Sequence, residues 1–311
     1  MMKPSIIFWG TPEFAIPSLE TLWHEGYPIK TIVTNPPKAG GRGLKIQIAA
    51  VQKFAEKNNV PCAHDTSNLP KADIYVIAAY GEIIPKAIIE RPKYGTLNIH
   101  PSLLPRHRGA SPIAAAILAG DSVTGVTIML TDEKMDHGPV LTQKEIAIVD
   151  SDTAASLTAK LADLASELIS ETIPRWVAGE LKPQAQNHNI ATFSKMFRKE
   201  TGHIDWNEPA DTLVRKIRAY NPYPYAWSSL INPTKQLRVN ILEARATKEE
   251  SSSFKPGAPK VQEGRLLIAT TDKFIEIITI QPESRAPMPG QDFARGYIVT
   301  NSQFISATES L

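Results

Sequence analysis

An asparagine and a histidine two residues apart, Asn98 and His100, close the apolar run GTLNIH at 95–100, and Pro101 follows. Along a strand the side chains at i and i+2 share a face, so this pair projects together while Leu97 and Ile99 point the other way into packing. Proline cannot continue a ladder, which sets the pair at the strand's end. An uncharged amide donor beside an imidazole that donates, accepts or carries a proton can hold an oxygen that turns negative during acyl transfer. The segment SLLPRHRGASP comes next, with prolines and a glycine to fix a loop beside the pair; fixed loops over a strand end are where sites are built. A histidine that exchanges a proton near neutral pH is commonly tuned by a carboxylate. The stretch TDEKMDHGPVL (131–141) offers Asp132, Glu133 and Asp136. The tight turn implied by His137–Gly138 favours Asp136, and the other two read as solvated turn residues. On its own N-x-H is a short pattern, and a satisfied strand-end histidine beside a turn-capping asparagine accounts for it equally well.

Open parallel sheets bind ligands beyond the carboxyl ends of their strands, so the surrounding elements decide whether the pair sits at such an end. The first half alternates short apolar runs with helical patterns, the signature of a Rossmann-like α/β fold, a mostly parallel sheet with helices on both faces. Strands are expected at SIIFWG (5–10), PIKTIVT (28–34), ADIYVIAA (72–79), GTLNIH (95–100), GVTIMLT (125–131) and GPVLTQKEIAI (138–148). Helices are expected over about 17–25, 46–58, from EIIPKAIIE, over ASPIAAAILAG, and from Ser151 to about Ala178. The last has Leu157, Leu161, Leu164, Leu168 and Ile169 on one face, with Ser151 or Asp152 as N-cap. After about Gln184 periodicity fades. We expect a catalytic domain at 1–188, a linker at 189–203 and a second domain at 204–311. Short strand-like pieces after one helical segment make that domain a small β-barrel of the oligonucleotide-binding (OB) type.

A chain of 311 residues suits two domains. With 34 basic and 32 acidic residues the net charge is +2, so contact with a nucleic acid must come from local patches. One cysteine, Cys62, allows no internal disulfide and suits a reducing compartment. The apolar run near the N-terminus stops at Gly10, short for a signal peptide, and no run reaches the ~18 apolar residues of a membrane span. A cytoplasmic protein without membrane contact is expected. No G-x-G-x-x-G follows the first strand, which argues against a dinucleotide dehydrogenase.

N-x-H followed by SLLP, with an acid in D-x-G some forty residues later, resembles the folate-dependent formyltransferase family. FWGTPEFA (8–15), GGRGLK, RGASPI, HIDWNEPADTLVRKIRAYNPYP and IQPESRAPMPGQDFARG resemble segments of its tRNA-directed members, so the likeness spans essentially the whole chain. The resemblance implies formyl transfer from 10-formyltetrahydrofolate, a co-substrate, to the amine of initiator methionyl-tRNA at translation initiation, without a metal. It implies that Asn98 and His100 stabilise the oxyanion, that a protonated His100 serves the departing folate nitrogen, and that Asp136 keeps His100 charged and relays the amine's proton. It assigns Ser102, Leu103, Leu104 and Pro105 to the folate. The turn AAYGEIIP (78–85) is a candidate for the opposite wall.

For tRNA, the loop KAGGRGLK (38–45) carries Lys38, Arg42 and Lys45 with no acid, and such a loop can follow a nucleic acid backbone. The resemblance points to Arg42 as the residue entering the acceptor stem. From Ile204 onward there are 13 Lys/Arg against 12 Asp/Glu, so the second domain is not basic as a whole. Lys195, Arg198 and Lys199 with Arg215, Lys216 and Arg218 are candidates for one local stripe. A monomer is expected. Two alternatives remain open at this point, namely a formyltransferase acting on an amino sugar nucleotide or other small amine, and an RNA-binding protein without catalysis.

Overall fold

The computed structural model describes residues 2–40 and 45–307. Seven strands form the first sheet: β1 (Ile6–Gly10), β2 (Ile29–Val33), β3 (Cys62–Ala63), β4 (Ile74–Ala78), β5 (Thr96–His100), β6 (Val123–Leu130) and β7 (Val140–Ala147). Their spatial order is β7-β6-β5-β4-β1-β2-β3. The pairings among β1 to β5 are parallel, and β6 and β7 complete one edge antiparallel. Every residue of β1 and β4 is buried. Since successive side chains alternate faces, both faces of the sheet are covered, which is why these strands read as unbroken apolar runs. On one face Ile7, Trp9, Tyr75 and Ile77 pack with Ile88 and Ile89.

The helices are α1 (Ile16–His24), α2 (Ala50–Lys57), α3 (Lys86–Ile89), α4 (Pro112–Ala119) and α5 (Ala154–Val177). The helix expected from residue 46 starts four residues later, because Lys45–Gln47 pairs with Lys38–Gly40 as a small antiparallel hairpin. EIIPKAIIE yields only the four-residue α3, bounded by Pro85 before it and Pro92 beyond Arg91. In α5 the buried side chains are Leu157, Leu161, Ala162, Ala165, Leu168, Ile169, Thr172 and Ile173, with Leu164 at the stripe's half-buried margin. Each leucine withdrawn from water contributes roughly 1.5–3 kcal/mol, enough to hold the helix whatever its caps. Among the described residues no helix is long and apolar enough to cross a membrane.

The chain divides into two compact units. The first comprises the chain up to Ile113, Ser122–Ile148 and Ser156–Lys195; the second comprises Ala114–Asp121, Val149–Ala155 and the chain from Met196. In the second unit, α6 (Ala210–Ala219) precedes β8 (Ala226–Asn232), β9 (Lys235–Glu250), β10 (Pro259–Gln262), β11 (Arg265–Ala269) and β12 (Lys273–Pro282); α7 (Gly290–Tyr297) and β13 (Gln303–Ile305) follow. The sheet is antiparallel, in the order β10-β11-β12-β9-β8-β13. Gly257, just before β10, accepts from Phe304 N of β13 (2.9 Å) and donates to Ala269 O of β11 (2.8 Å), linking the two ends of the sheet. Its φ of +83° and the nearness of Phe304 O leave no room for a side chain. Trp206 of the IDW segment is fully buried, its indole N–H donating to Ser228 Oγ (3.1 Å).

Candidate active site

β5 lies between β4 and β6, so its carboxyl end opens inside the sheet rather than at an edge. Leu97 and Ile99 are buried on one face of the strand. Asn98 and His100 share the other, opposite Met129 and Thr127 of β6. Asp136 arrives from the β6–β7 connection. The structure brings these three side chains together.

The two oxygens of Asp136 are held very differently. Oδ2 accepts from the backbone N–H of Gly109 at 2.7 Å. Oδ1 faces both the Asn98 amide nitrogen (3.4 Å) and His100 Nδ1 (3.5 Å). Those two distances lie at the limit of a hydrogen bond, so Oδ1 is only loosely engaged. One oxygen therefore anchors the carboxylate and the other remains able to take a proton. An amide nitrogen carries two hydrogens and Oδ1 draws on one at most, so Asn98 keeps a donor for an incoming oxygen.

His100 is 4% exposed. Its Nε2 meets the carbonyl of His107 at 3.1 Å. A carbonyl only accepts, so Nε2 carries the hydrogen and the neutral ring presents a basic Nδ1 to Asp136. Burial pushes the imidazole below its ordinary pKa, and this outweighs the upward pull of the Asp136 carboxylate and the His107 carbonyl; His107 and Arg108 add to the lowering. Burial thus works against the charge that Asp136 was expected to hold on His100. The ring rests neutral because desolvation of an almost fully buried cation exceeds one loosely placed counter-charge.

The positions around the acid explain its orientation. Asp136 has φ of +49°. Gly138, two residues on, has no space for a Cβ, which would fall 1.9 Å from Leu130 O. This tight turn aims the carboxylate inward at Asn98, His100 and Gly109. Asp132 accepts from its neighbour's ring at His137 Nδ1 (2.7 Å), and Glu133 pairs with Lys86, so neither reaches the strand end.

Ser102, Leu103, Leu104 and Pro105 continue directly from the strand, and their polar groups are largely consumed within the protein. Thr127 Oγ1 donates to Ser102 O (2.6 Å) and accepts from Leu104 N (3.1 Å). Gln143 donates to Leu104 O (2.9 Å), and Ser102 Oγ to Arg106 O (2.6 Å). Ser102 and Leu104 are buried, and Leu103 and Pro105 are half-buried. On the adjacent strand end Ala79 (φ +49°) and Gly81 (φ +85°) turn the backbone, and Ile83 is exposed.

Of the residues expected to meet tRNA, Arg42 lies outside the described residues. The backbones of Lys38 and Lys45 belong to the small hairpin. In the second unit the expected stripe is corrected. Lys216 is paired with Glu208, and Arg218 donates to the carbonyls of Val149 (3.2 Å) and Asp152 (3.0 Å). Arg215 donates to Thr212 (3.1 Å) and packs against Gly120. All three are partly buried and serve the fold, whereas Lys195, Arg198 and Lys199 are exposed.

Sequence reasoning missed Thr127, Gln143 and, above all, the stretch 184–195. Phe193–Ser194 pairs in parallel with Arg108–Gly109. Thr192 accepts from His107 N through Oγ1 (2.8 Å) and from Arg108 N through its carbonyl (2.9 Å). A polar segment without periodicity gives no sign that its partners lie eighty residues earlier. Among the described residues no three His, Cys, Asp or Glu side chains gather as metal ligands would.

The family model described as formyl transferase matches residues 2–173, and that of the formyl transferase C-terminal domain matches residues 196–298. A methionyl-tRNA formyltransferase of Thermodesulfovibrio yellowstonii is 37% identical over 305 residues, covering 95% of this chain and 96% of the relative. One from Caldanaerobacter subterraneus is 36% identical over 303 residues, covering 94% and 96%. Among solved structures, the N-formyltransferase of Helicobacter canadensis in complex with folinic acid and dTDP-3-aminofucose superposes with a TM-score of 0.67 at 19% identity, over 89% of this chain and 99% of that one. HypX of Aquifex aeolicus in complex with tetrahydrofolic acid gives 0.64 at 18% identity, over 94% and 47%. At these identities the solved structures speak for the fold alone.

Proposed function

The chain belongs to the formyl transferase family, and on that premise we propose that it transfers a formyl group from 10-formyltetrahydrofolate to the free amino group of initiator methionyl-tRNA. The observation that carries the reading is the uneven hold on Asp136, one oxygen anchored by Gly109 and the other poised between Asn98 and His100.

In this reading the amine adds to the formyl carbon while Asn98 donates its free N–H to the oxygen that becomes negative. Asp136 Oδ1 takes the proton the amine loses. His100, neutral at rest with Nδ1 unprotonated, accepts that proton and delivers it to the nitrogen that departs. The His107 carbonyl holds the ring in the tautomer this requires. The loop Ser102–Pro105 supplies an apolar wall for the folate, and its backbone, tied to Thr127 and Gln143, keeps that wall fixed. The first unit carries the chemistry, with Phe193–Ser194 of the expected linker paired into it, and the strands of the second unit form an OB-like barrel. The link through Gly257 between the ends of its sheet supports the last point. Arg42, with Lys38 and Lys45, contacts the tRNA. The enzyme acts as a cytoplasmic monomer.

The test gives purified protein 10-formyltetrahydrofolate with charged initiator tRNA, charged elongator tRNA or an amino sugar nucleotide. Formylation of the initiator tRNA is expected. Formylation of the sugar alone would replace the acceptor in this reading, and no product from any acceptor would end it.

A further inference from the structure

We propose that Gln186 is a positioning residue for Asp136, and that it sets the turn which leaves Oδ1 free for proton transfer. The inference rests on the reading of Asp136 given above.

Gln186 is buried, and both ends of its amide are used. Nε2 donates to the carbonyls of Asp136 (3.0 Å) and Gly138 (2.7 Å). Oε1 accepts from Arg108 Nε (3.2 Å) and Nη2 (2.6 Å). One side chain thus grips the acid's own turn on one side. On the other it grips the residue preceding Gly109, whose N–H fixes Asp136 Oδ2. The two backbone segments that orient the carboxylate are joined through a single carboxamide.

The chemistry of the partners makes this more than packing. Asp136 sits in the left-handed region, where a residue with a side chain needs outside support. Its carbonyl and that of Gly138 both accept from one NH₂ group, which satisfies one partly buried and one buried acceptor at once. Arg108 is 3% exposed, and its guanidinium is met by neutral groups, Gln186 Oε1 and His188 Nδ1 (2.9 Å). Without the amide oxygen this cation has reason to swing toward the nearest carboxylate. A move of Arg108 carries Gly109 with it and releases Oδ2.

The test compares Gln186→Ala and Gln186→Glu with Asp136→Asn as a control, all in the full chain. Glutamate keeps the acceptors that Arg108 needs but has no N–H for the two carbonyls. If donation sets the turn, both Gln186 variants lose kcat by about 10- to 100-fold, as expected for a misplacement of an ångström or less at reacting groups. KM for the folate and for the tRNA then changes by less than about threefold, and the glutamate variant retains the folded state through its arginine pair. A purely structural role would lower the amount of active enzyme without this split between kcat and KM. Wild-type kcat in both variants, or loss of the fold in both, overturns the proposal while leaving the role of Asp136 intact. Normal turnover in Asp136→Asn instead overturns the reading beneath it.

Discussion

The loop that follows β5 and the helix α6 carry similar side chains to different ends. Between Pro101 and Ala110 the buried Arg108 reaches the turn of one carboxylate through Gln186, and the Gly109 N–H holds that carboxylate directly. On α6 the cations Arg215, Lys216 and Arg218 are spaced like a solvated stripe, yet each is occupied by an acceptor of its own unit. A charge acts on a ligand only where the fold leaves its partners unfilled. The first region uses its polar groups to hold an oxygen with one hydrogen bond fewer than it could accept; the second ties each cation to an acceptor of its own, although Arg215 Nε and Arg218 Nε stay buried without one among the described residues.

The sharpest break in that comparison comes from the β5 pair. His100→Ala and Asn98→Ala are each expected to lower turnover by about 10²–10³-fold, or more for the histidine, with folate affinity nearly unchanged. Equal losses in turnover and folate affinity would instead make the pair a binding element.

On α6 the expected effect falls on stability. Arg218→Ala removes one donor from the carbonyl of Val149, which still accepts from Asp152 N (2.9 Å), and one from the carbonyl of Asp152. It should destabilise by about 1–3 kcal/mol in denaturant titration, with tRNA affinity shifted by less than threefold. A large affinity loss at unchanged stability would restore the stripe as a tRNA surface.

A smaller effect follows from the buried imidazole. Its folded pKa lies below the ordinary value near 6.5, so between the two the unfolded chain binds a proton that the native chain excludes. Stability is therefore fully present above about pH 6.5 and declines as the pH falls toward the lowered folded value. The decline should be weaker in His100→Gln, and an NMR titration should find the wild-type ring still neutral at pH 6.5. A ring protonated there would reinstate the charged histidine.

The smallest effect belongs to the basic hairpin. Replacing Lys38 and Lys45 by alanine should reduce the salt dependence of tRNA binding by about one counterion for each phosphate no longer neutralised. An unchanged slope would assign the phosphates to other cations of the chain.

The strand-end pair was legible because alternation along an apolar strand leaves two polar residues on one face only for a reason. Asp136 was legible as an acid in a glycine-containing turn, although the depth of that turn was not. The protonation of His100 was hidden, since it depends on how completely the site excludes water. Gln186 could not be found either. Its partners are backbone carbonyls fifty residues away and a guanidinium seventy-eight away, and hydrogen bonds to backbone leave no pattern in residue types. The fate of the α6 cations was equally out of reach, because helical spacing shows which face they share and says nothing of the acceptors that meet them.

The proposed chemistry turns on Asp136 Oδ1 as the oxygen that receives the amine's proton. Asp136→Asn keeps the size of the side chain and an acceptor for Gly109 while removing that basicity. Single-turnover transfer from 10-formyltetrahydrofolate to charged initiator tRNA should then slow by about a thousandfold, within the range for loss of a positioned general base, with folate affinity within threefold of wild type. Transfer within a few fold of wild type would contradict it.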